Sequence, residues 1–159
     1  MRSSCLQTSA LHEALRPEAL LLGRRSYQFF ATRWSFRTGQ FADRLNSLPK
    51  YVVSSTLEGP NWTNSTVLKD HVVNKVSKLK RETDGDIVVY ASAQLVRTLM
   101  EHDLVDELRL MIYPIVLGAG KRLFGETSDK KPMRRVHIRE RSGGARPKRG
   151  AIIRDDGRA

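Results

Sequence analysis

Residues 85–124, GDIVVYASAQLVRTLMEHDLVDELRLMIYPIVLGAGKRLF, decide the fold because they read as strand, helix and strand followed by a glycine-rich turn. Residues 87–90 are a short apolar run rich in β-branched side chains, which is typical of a strand buried on both faces. Residues 108–116 form a second predicted strand, where Pro114 marks an edge or a bulge because proline removes a ladder donor. Two strands joined through a helix favour a right-handed crossover in a largely parallel sheet.

The helix between these two strands has a single apolar face. Its apolar side chains recur at helical spacing and are Leu95, Val96, Leu99 and Met100. Ser92 is the predicted N-cap, because its hydroxyl can accept a hydrogen bond from an amide of the first turn. His102 and Asp103 close the helix.

A similar strand and helix lie near the amino terminus of the chain. Residues 19–22 are a short apolar run that ends at Gly23, and Ser26 is the predicted N-cap of the helix that follows. The apolar face of that helix consists of Tyr27, Phe30, Ala31 and Trp34. Free amides, the helix dipole and the adjacent Arg24 and Arg25 favour an anion at this turn. The alternative is a glycine that only ends a strand, beside two solvated arginines.

The middle of the chain continues the same alternation. Residues 37–49 are predicted to form a surface connection with one short turn of helix, and residues 50–55 a strand. A brief strand over residues 66–68 and a one-sided helix over residues 70–81 follow. This order predicts an α/β domain with a mostly parallel central sheet and helices on both faces.

Ligands of such sheets bind beyond the carboxyl ends of the strands. Three strand ends in the sequence offer small, hydroxyl or cationic residues for this purpose, and we expect them to form one shared rim. These candidate residues are Gly23, Arg24, Arg25, Ser26, Ser54, Ser55, Ala91, Ser92 and Ala93. Their chemistry suits an anionic, nucleotide-like ligand, but it does not identify a reaction.

Composition narrows the class of protein. The 159 residues contain one cysteine and carry a net charge of +11. No apolar run approaches the roughly 20 residues of a membrane span, and the first residues lack the pattern of a signal peptide, so we expect a soluble, cytoplasmic protein. Residues 133–159 contain nine Lys or Arg and three acids, so more than half of the charge lies in this basic tail. Such a tail is typically solvated, which makes nucleic-acid binding the weaker interpretation.

The sequence offers no recognisable catalytic or metal-binding constellation. The four histidines show no metal-ligand spacing, and we find no nucleophile–base pair, so no metal is expected and the catalytic residues stay unassigned. The four histidines are His12, His71, His102 and His137. The segment 117–122, LGAGKR, lacks the spacing and the Ser or Thr of a P-loop.

Four blocks of the chain together resemble a known family. They read ALLLGRRSYQFFATRW from Ala19, LPKYVVSSTL from Leu48, GDIVVYASAQLVRTL from Gly85 and LVDELRLMIYPIVLGAGKRLF from Leu104. In order and spacing they are similar to the dihydrofolate-reductase-like proteins of the riboflavin-biosynthesis reductase type, the RibD C-terminal domain family. The resemblance covers roughly residues 15–132, which we interpret as a reductase domain (residues 1–132) followed by the basic tail.

The resemblance implies an NADPH-dependent reductase of a small heterocycle, such as a reduced pterin or a ribosylated aminopyrimidine. In the family, the turn matching residues 23–26 takes the cofactor phosphates, and the serines matching Ser54 and Ser55 lie near the adenosine ribose and its 2′-phosphate. The turn matching residues 91–93 binds the pyrophosphate of the cofactor. Family members are often dimeric, so a homodimer is expected. A non-catalytic nucleotide-binding domain and a nucleic-acid-binding protein are the alternatives.

Three departures from the family pattern stand out. The opening strand and loop of the family are missing or replaced by MRSSCLQTSALHEALRPE, and Ala91 stands where the family usually has glycine. The two closing strands of the family are expected to be lost, because residues 134–159 show little alternation and many arginines. We therefore hypothesise that both ends are out of frame relative to an intact ancestor, or that they come from mis-set gene boundaries.

Overall fold

A computed structural model describes residues 16–113, 115–126, 129–139 and 148–154 of the chain. These residues contain four helices and seven strands. In chain order they are β1 Ala19–Gly23, α1 Arg24–Trp34, α2 Gln40–Ser47, β2 Lys50–Val53, β3 Ser65–Leu68, α3 Val72–Glu82, β4 Ile87–Val89, α4 Ala93–Glu101, β5 Glu107–Ile112, β6 Met133–Arg139 and β7 Lys148–Arg154. The chain divides into two compact units between residues 96 and 97. The predicted boundary after Pro132 lies within the second unit, and the division into a domain and a tail stays a prediction.

The first unit contains a four-stranded parallel sheet in the order β3-β2-β1-β4. β1 pairs with β2 from Leu20 opposite Lys50, and with β4 from Ala19 opposite Ile87. Four of the five β1 residues are buried, as expected for a central strand covered on both sides. The prediction that β4 is buried on both faces is wrong. Its three residues are only half-buried, because β4 is the edge strand of this sheet among the described residues.

The two faces of the sheet are covered by different segments. Alternate residues of β1, Leu20 and Leu22, pack with residues of α1, α2 and β2 in one buried cluster. The chain moves from β1 to β2 and β3 in one direction, and then returns through α3 to β4 on the other side of β1. Because parallel crossovers are right-handed, the return connection places α3 on the opposite face. Helices therefore lie on both faces, as the sequence predicts.

The connection before β2 is more deeply embedded than the sequence indicates. Residues 37–49 were expected to form a surface connection, but α2 is a two-turn helix whose Ala42 and Leu45 are buried, as is Leu48 after it. Apolar residues at i, i+3 and i+6 give this short segment a one-sided face. The surface interpretation is therefore wrong.

The second unit contains a three-stranded antiparallel sheet in the order β5-β7-β6. β5 pairs with β7 from Glu107 opposite Ile153, and β6 pairs with β7 from Met133 opposite Arg154. Two expectations are therefore wrong: residues 107–112 do not join the parallel sheet among the described residues, and the arginine-rich segment does form a closing pair of strands. β5 ends at Ile112, and Pro114 lies outside the described residues.

None of the helices within the described ranges is long and apolar enough to cross a membrane.

Candidate functional site

The parallel sheet has one topological switch point, between β1 and β4. From β1 the chain proceeds to β2 on one side, and it later returns to β4 on the other side. Ligands of open α/β sheets bind at the carboxyl ends of the strands beside such a point. Here these ends are Gly23, which closes β1, and Val89, which closes β4. The candidate site is therefore the pair of turns that follow β1 and β4.

The turn after β1 leads directly into α1. The helix begins at Arg24, and Gly23 at the N-cap position is extended, with φ −74° and ψ 155°. The N-cap has no side-chain hydrogen bond, and no acidic residue lies in the first turn. Ser26 therefore lies within the first turn, and its prediction as the N-cap is wrong. An uncapped helix start with two arginines in its first turn attracts an anion.

The turn after β4 is hydrogen-bonded to the turn after β1. The backbone N–H of Gly23 donates to Ser92 Oγ at 2.9 Å, and the backbone N–H of Ser92 donates to Ser26 Oγ at 3.1 Å. The Ser92 hydroxyl in turn donates to the carbonyl oxygen of Tyr90 at 3.1 Å. We call the two bonds between the turns the Ser26–Ser92 junction. Sequence analysis placed all three of these candidate residues at one rim, and the junction confirms that they lie together.

Ser92 does precede α4 as predicted, since its carbonyl oxygen accepts from the N–H of Val96 at 3.0 Å. Its hydroxyl accepts from the N–H of Gly23 and donates to the carbonyl oxygen of Tyr90, and its role as the N-cap stays a prediction. The helix ends at Glu101, in agreement with the predicted closure at the next two residues.

Two consecutive residues of the β4–α4 turn adopt a left-handed backbone. Ala91 has φ 53° and Ser92 has φ 54°. Side chains with a Cβ disfavour this region by roughly 1–2 kcal/mol per residue. Strain of this kind persists where surrounding contacts hold it, and it concentrates at functional sites. The glycine expected from the family pattern at Ala91 would adopt the same conformation without strain.

The third predicted rim segment follows β2. Ser54 is buried, and its hydroxyl accepts from the N–H groups of Thr56 and Leu57 at 3.2 and 3.0 Å, so it shapes its own loop. Ser55 is exposed. The guanidinium of Arg24 donates through Nη1 to Thr56 Oγ1, which links the β1–α1 turn to this loop. Thr56 is a residue that sequence reasoning missed, although it continues the run of hydroxyls after the strand.

The remaining candidates lie near the junction without joining it. Arg25 is an exposed residue of the first turn of α1, and Ala93 is the exposed first residue of α4. Both helix starts therefore lie at the carboxyl edge of the sheet. Among the described residues, no group of three or more His, Cys, Asp or Glu side chains could hold a metal ion.

The opposite edge of the sheet has a different character. An open cavity of about 670 Å³ lies where the strands begin, and its charged lining consists of Arg16 and four carboxylates, Glu18, Glu82, Asp84 and Asp86. Carboxylates repel a phosphate, whereas the carboxyl edge offers Arg24, Arg25 and a helix N-terminus. The arrangement of charge therefore favours anion binding at the carboxyl edge.

Comparison with known proteins identifies the family of the chain. The sequence model of the RibD C-terminal domain matches residues 6–145. The chain belongs to the RibD C-terminal domain family. The match extends beyond both limits of the resemblance found in the sequence, and its carboxyl-terminal part includes β6. The closing pair of strands removes one reason for the hypothesis that the carboxyl-terminal end is out of frame, and the hypothesis itself stays a prediction.

The chain is also similar to curated relatives and to solved structures. The uncharacterized protein YyaP of Bacillus subtilis (strain 168) is 36% identical over 100 residues, which are 63% of this chain and 53% of YyaP. A putative riboflavin biosynthesis protein from Shewanella sp. PV-4 aligns with a TM-score of 0.70 at 18% identity, covering 96% of this chain and 81% of its own.

Enterococcus faecalis dihydrofolate reductase, in a complex with NADP(H) and RAB-propyl, aligns with a TM-score of 0.63 at 12% identity, covering 95% and 83% of the two chains. These alignments confirm the dihydrofolate-reductase-like fold that the sequence predicts. The chain spans about half the length of the curated relatives it matches.

Proposed function

We propose that this chain is an NADPH-dependent reductase domain that acts on a small heterocycle, such as a reduced pterin or the aminopyrimidine 5-amino-6-(5-phosphoribosylamino)uracil. The observation that carries the proposal is the Ser26–Ser92 junction at the switch point, beside an uncapped helix and two arginines. Membership of a reductase-type family and the fold shared with dihydrofolate reductase support it.

The residues at the rim suit the phosphates of such a cofactor. Arg24 and Arg25 supply positive charge, and Gly23 has no side chain to keep a phosphate from the start of α1. The β4–α4 turn lies against this site through the junction, which suits a pyrophosphate that spans the two helix starts. The family resemblance implies that Ser54 and Ser55 lie near the 2′-phosphate.

The bound cofactor supplies the hydride, and the protein holds it against the acceptor and excludes water. In this proposal, the residues of the β1–α1 and β4–α4 turns bind and orient the cofactor phosphates. No side chain described here is assigned to proton transfer.

A thermal melt with and without NADPH tests this proposal, with NADH as the matched control. A ligand at about 100 times its dissociation constant adds roughly 2.7 kcal/mol to the free energy of unfolding. For a chain of this size that is a rise of about 5–10 °C in Tm. A larger rise with NADPH than with NADH is expected, because only NADPH carries the 2′-phosphate. A cooperative melt that neither cofactor shifts would overturn the proposal.

Activity then separates an enzyme from a nucleotide-binding domain. Loss of NADPH absorbance at 340 nm in the presence of a pterin or aminopyrimidine is the expected result. Binding without turnover across such a screen would favour the non-catalytic alternative. A steep salt dependence of DNA binding would instead favour a role for the basic residues 133–159.

We also propose that the protein forms a homodimer, as members of the family often do. Light scattering coupled to size-exclusion chromatography is expected to give twice the monomer mass of 18.1 kDa. A monomer mass across micromolar concentrations would contradict this.

A further inference from the structure

Ser92 has two hydrogens that it could donate to an anion, and both are already used. Its backbone N–H donates to Ser26 Oγ at 3.1 Å, and its hydroxyl donates to the carbonyl oxygen of Tyr90 at 3.1 Å. Its hydroxyl oxygen also accepts from the N–H of Gly23 at 2.9 Å. An anion is recognised through donors, so a phosphate could engage Ser92 only by breaking one of these bonds.

Ser26 differs from Ser92 in the use of its hydroxyl hydrogen. Its hydroxyl oxygen accepts from the N–H of Ser92, and no described residue accepts the hydroxyl hydrogen in return. Ser26 lies in the first turn of α1, which has no side-chain cap and begins with Arg24 and Arg25. A hydroxyl that accepts one hydrogen bond becomes a better donor in the next, because chains of hydrogen bonds polarise one another.

We infer that Ser92 is a positioning residue that acts on the cofactor phosphate through Ser26, the residue that the family resemblance already places at the phosphates. Ser92 acts through Ser26: its N–H orients the Ser26 hydroxyl, and its own hydroxyl fixes the β4–α4 turn to Gly23 and Tyr90. This assignment rests on the proposed function for the identity of the ligand. It differs from the direct pyrophosphate contact that the family resemblance implies for Ser92.

The strained backbone of the turn fits this role. Ser92 holds φ 54°, and the preceding Ala91 holds φ 53°. Three hydrogen bonds involving the N–H and hydroxyl of Ser92 maintain a conformation that the isolated turn would avoid. Removing the Ser92 hydroxyl therefore lets the turn relax. The hydrogen bond from the N–H of residue 92 to Ser26 Oγ is then lost as well.

Amide hydrogen exchange of the ligand-free protein tests the junction without any cofactor. In Ser92→Ala and Ser92→Gly, we expect exchange at Gly23 and at residue 92 to accelerate at least tenfold. The glycine variant removes the hydroxyl without the left-handed penalty, so it separates the hydrogen bonds from the strain. Ser47→Ala, which removes a hydroxyl bonded only to Arg44 O within α2, is the matched control and should change neither amide. Unchanged exchange at residue 92 in both Ser92 variants would overturn the positioning role.

Cofactor affinity tests the division of roles, measured below the melting transition of every variant. Ser26→Ala and Ser92→Ala should each raise the Kd for NADPH about tenfold, and the double variant should also raise it only about tenfold, because Ser92 acts through Ser26. Ser26→Thr keeps the hydroxyl and should restore affinity to within about twofold. A roughly hundredfold loss in the double variant would mean that both serines contact the phosphate, which would overturn the inference.

These measurements distinguish failure of the inference from failure of the proposed function. If the native protein binds no NADPH, the proposed function fails, and the exchange data alone decide whether Ser92 holds the turn. If the native protein binds NADPH and the two serines act independently, the function stands and the positioning role fails.

Discussion

The ammonium group of Lys50 lies 4.6 Å from the centre of the Trp62 ring, within the interior of the first unit. Both side chains are almost fully buried. Lys50 Nζ donates to the carbonyl oxygens of Asn46, Leu48 and Thr63 at 2.9, 2.7 and 2.9 Å. One cation thus connects the end of α2, the start of β2 and the loop that carries Trp62.

This burial predicts a rise in stability at alkaline pH. Desolvation lowers the pKa of Lys50 from 10.5 to about 8. Between these values the unfolded chain binds a proton that the folded chain does not, so the free energy of unfolding rises with pH. Below about pH 8 both states are protonated and this contribution is constant. The gain is at most about 3 kcal/mol, because the three carbonyl acceptors favour the protonated form.

Urea unfolding at pH 7.5, 8.5 and 9.5 measures this effect. Lys50→Arg keeps a donor to the carbonyl groups and stays charged throughout, so its stability should lack the rise. Lys50→Met should be less stable at every pH, because it leaves three buried carbonyl oxygens without their donor, and should also lack the rise. Equal slopes in the native protein and Lys50→Arg would show that other groups cause the pH dependence.

The left-handed backbone at Ala91 predicts that Ala91→Gly stabilises the protein. Relief of positive φ gains roughly 1–2 kcal/mol, and the greater freedom of glycine in the unfolded chain removes part of it. The expected net gain is about 0.5–1 kcal/mol, or a few degrees in Tm. Ala31→Gly, in the middle of α1 where φ is helical, is the control and should destabilise by about 1 kcal/mol or more. A lower Tm for Ala91→Gly would contradict the observed backbone conformation.

Local apolar patterns predicted much of the parallel sheet and its helices. Residues 19–22 and the helix after them follow directly from a short apolar run and an i, i+3, i+4 repeat. Hydropathy places a lysine such as Lys50 at the surface, so its burial could not be found in this way. Residues 133–139 and 148–154 are rich in arginine, so their hydropathy does not predict strands. They form strands because β7 pairs with both β5 and β6.

The candidate site was predicted in position but not in detail. Strand ends of a parallel sheet share one edge, so Gly23, Ser26 and Ser92 could be grouped from the sequence. Which of them donates to which depends on a contact between residues 66 positions apart. No local pattern encodes such a contact. The link from Arg24 to Thr56 was missed for the same reason, since 32 residues separate the pair.

The core contains a buried backbone amide that donates to a tyrosine hydroxyl. The N–H of Trp62 donates to the hydroxyl oxygen of Tyr27 at 2.8 Å, and the two ring centres lie 6.1 Å apart. Tyr27→Phe keeps the ring packing and leaves that N–H without its acceptor. The expected loss is about 1–3 kcal/mol in the free energy of unfolding.

A shift of the urea midpoint at constant m-value measures this loss. Tyr113→Phe removes a hydroxyl from a half-exposed tyrosine and serves as the control, with an expected change below about 0.5 kcal/mol. Equal midpoints for Tyr27→Phe and the native protein would mean that another acceptor replaces the lost hydroxyl.

Arg24 is expected to contribute more to cofactor binding than any other side chain of α1. It begins the helix, and its guanidinium is held toward the β2 loop by Thr56. Arg24→Ala should weaken NADPH binding by about 1–3 kcal/mol, because a charge-assisted hydrogen bond and a helix-start cation are lost together. Arg33→Ala, at the other end of α1 where the guanidinium lies 3.6 Å from the Phe29 ring centre, is the matched control and should leave the Kd unchanged.

Thr56→Val refines the interpretation of Arg24. It removes the acceptor but keeps the guanidinium, so the affinity should fall less than in Arg24→Ala. The ratio of the Kd values for NADPH and NADH identifies the phosphate that Arg24 reaches. If Arg24→Ala weakens only NADPH, the guanidinium contacts the 2′-phosphate; if it weakens both equally, the contact is to the pyrophosphate. Unchanged affinity for both cofactors would remove the β1–α1 turn from the site, since its strongest donor would then have no ligand to bind.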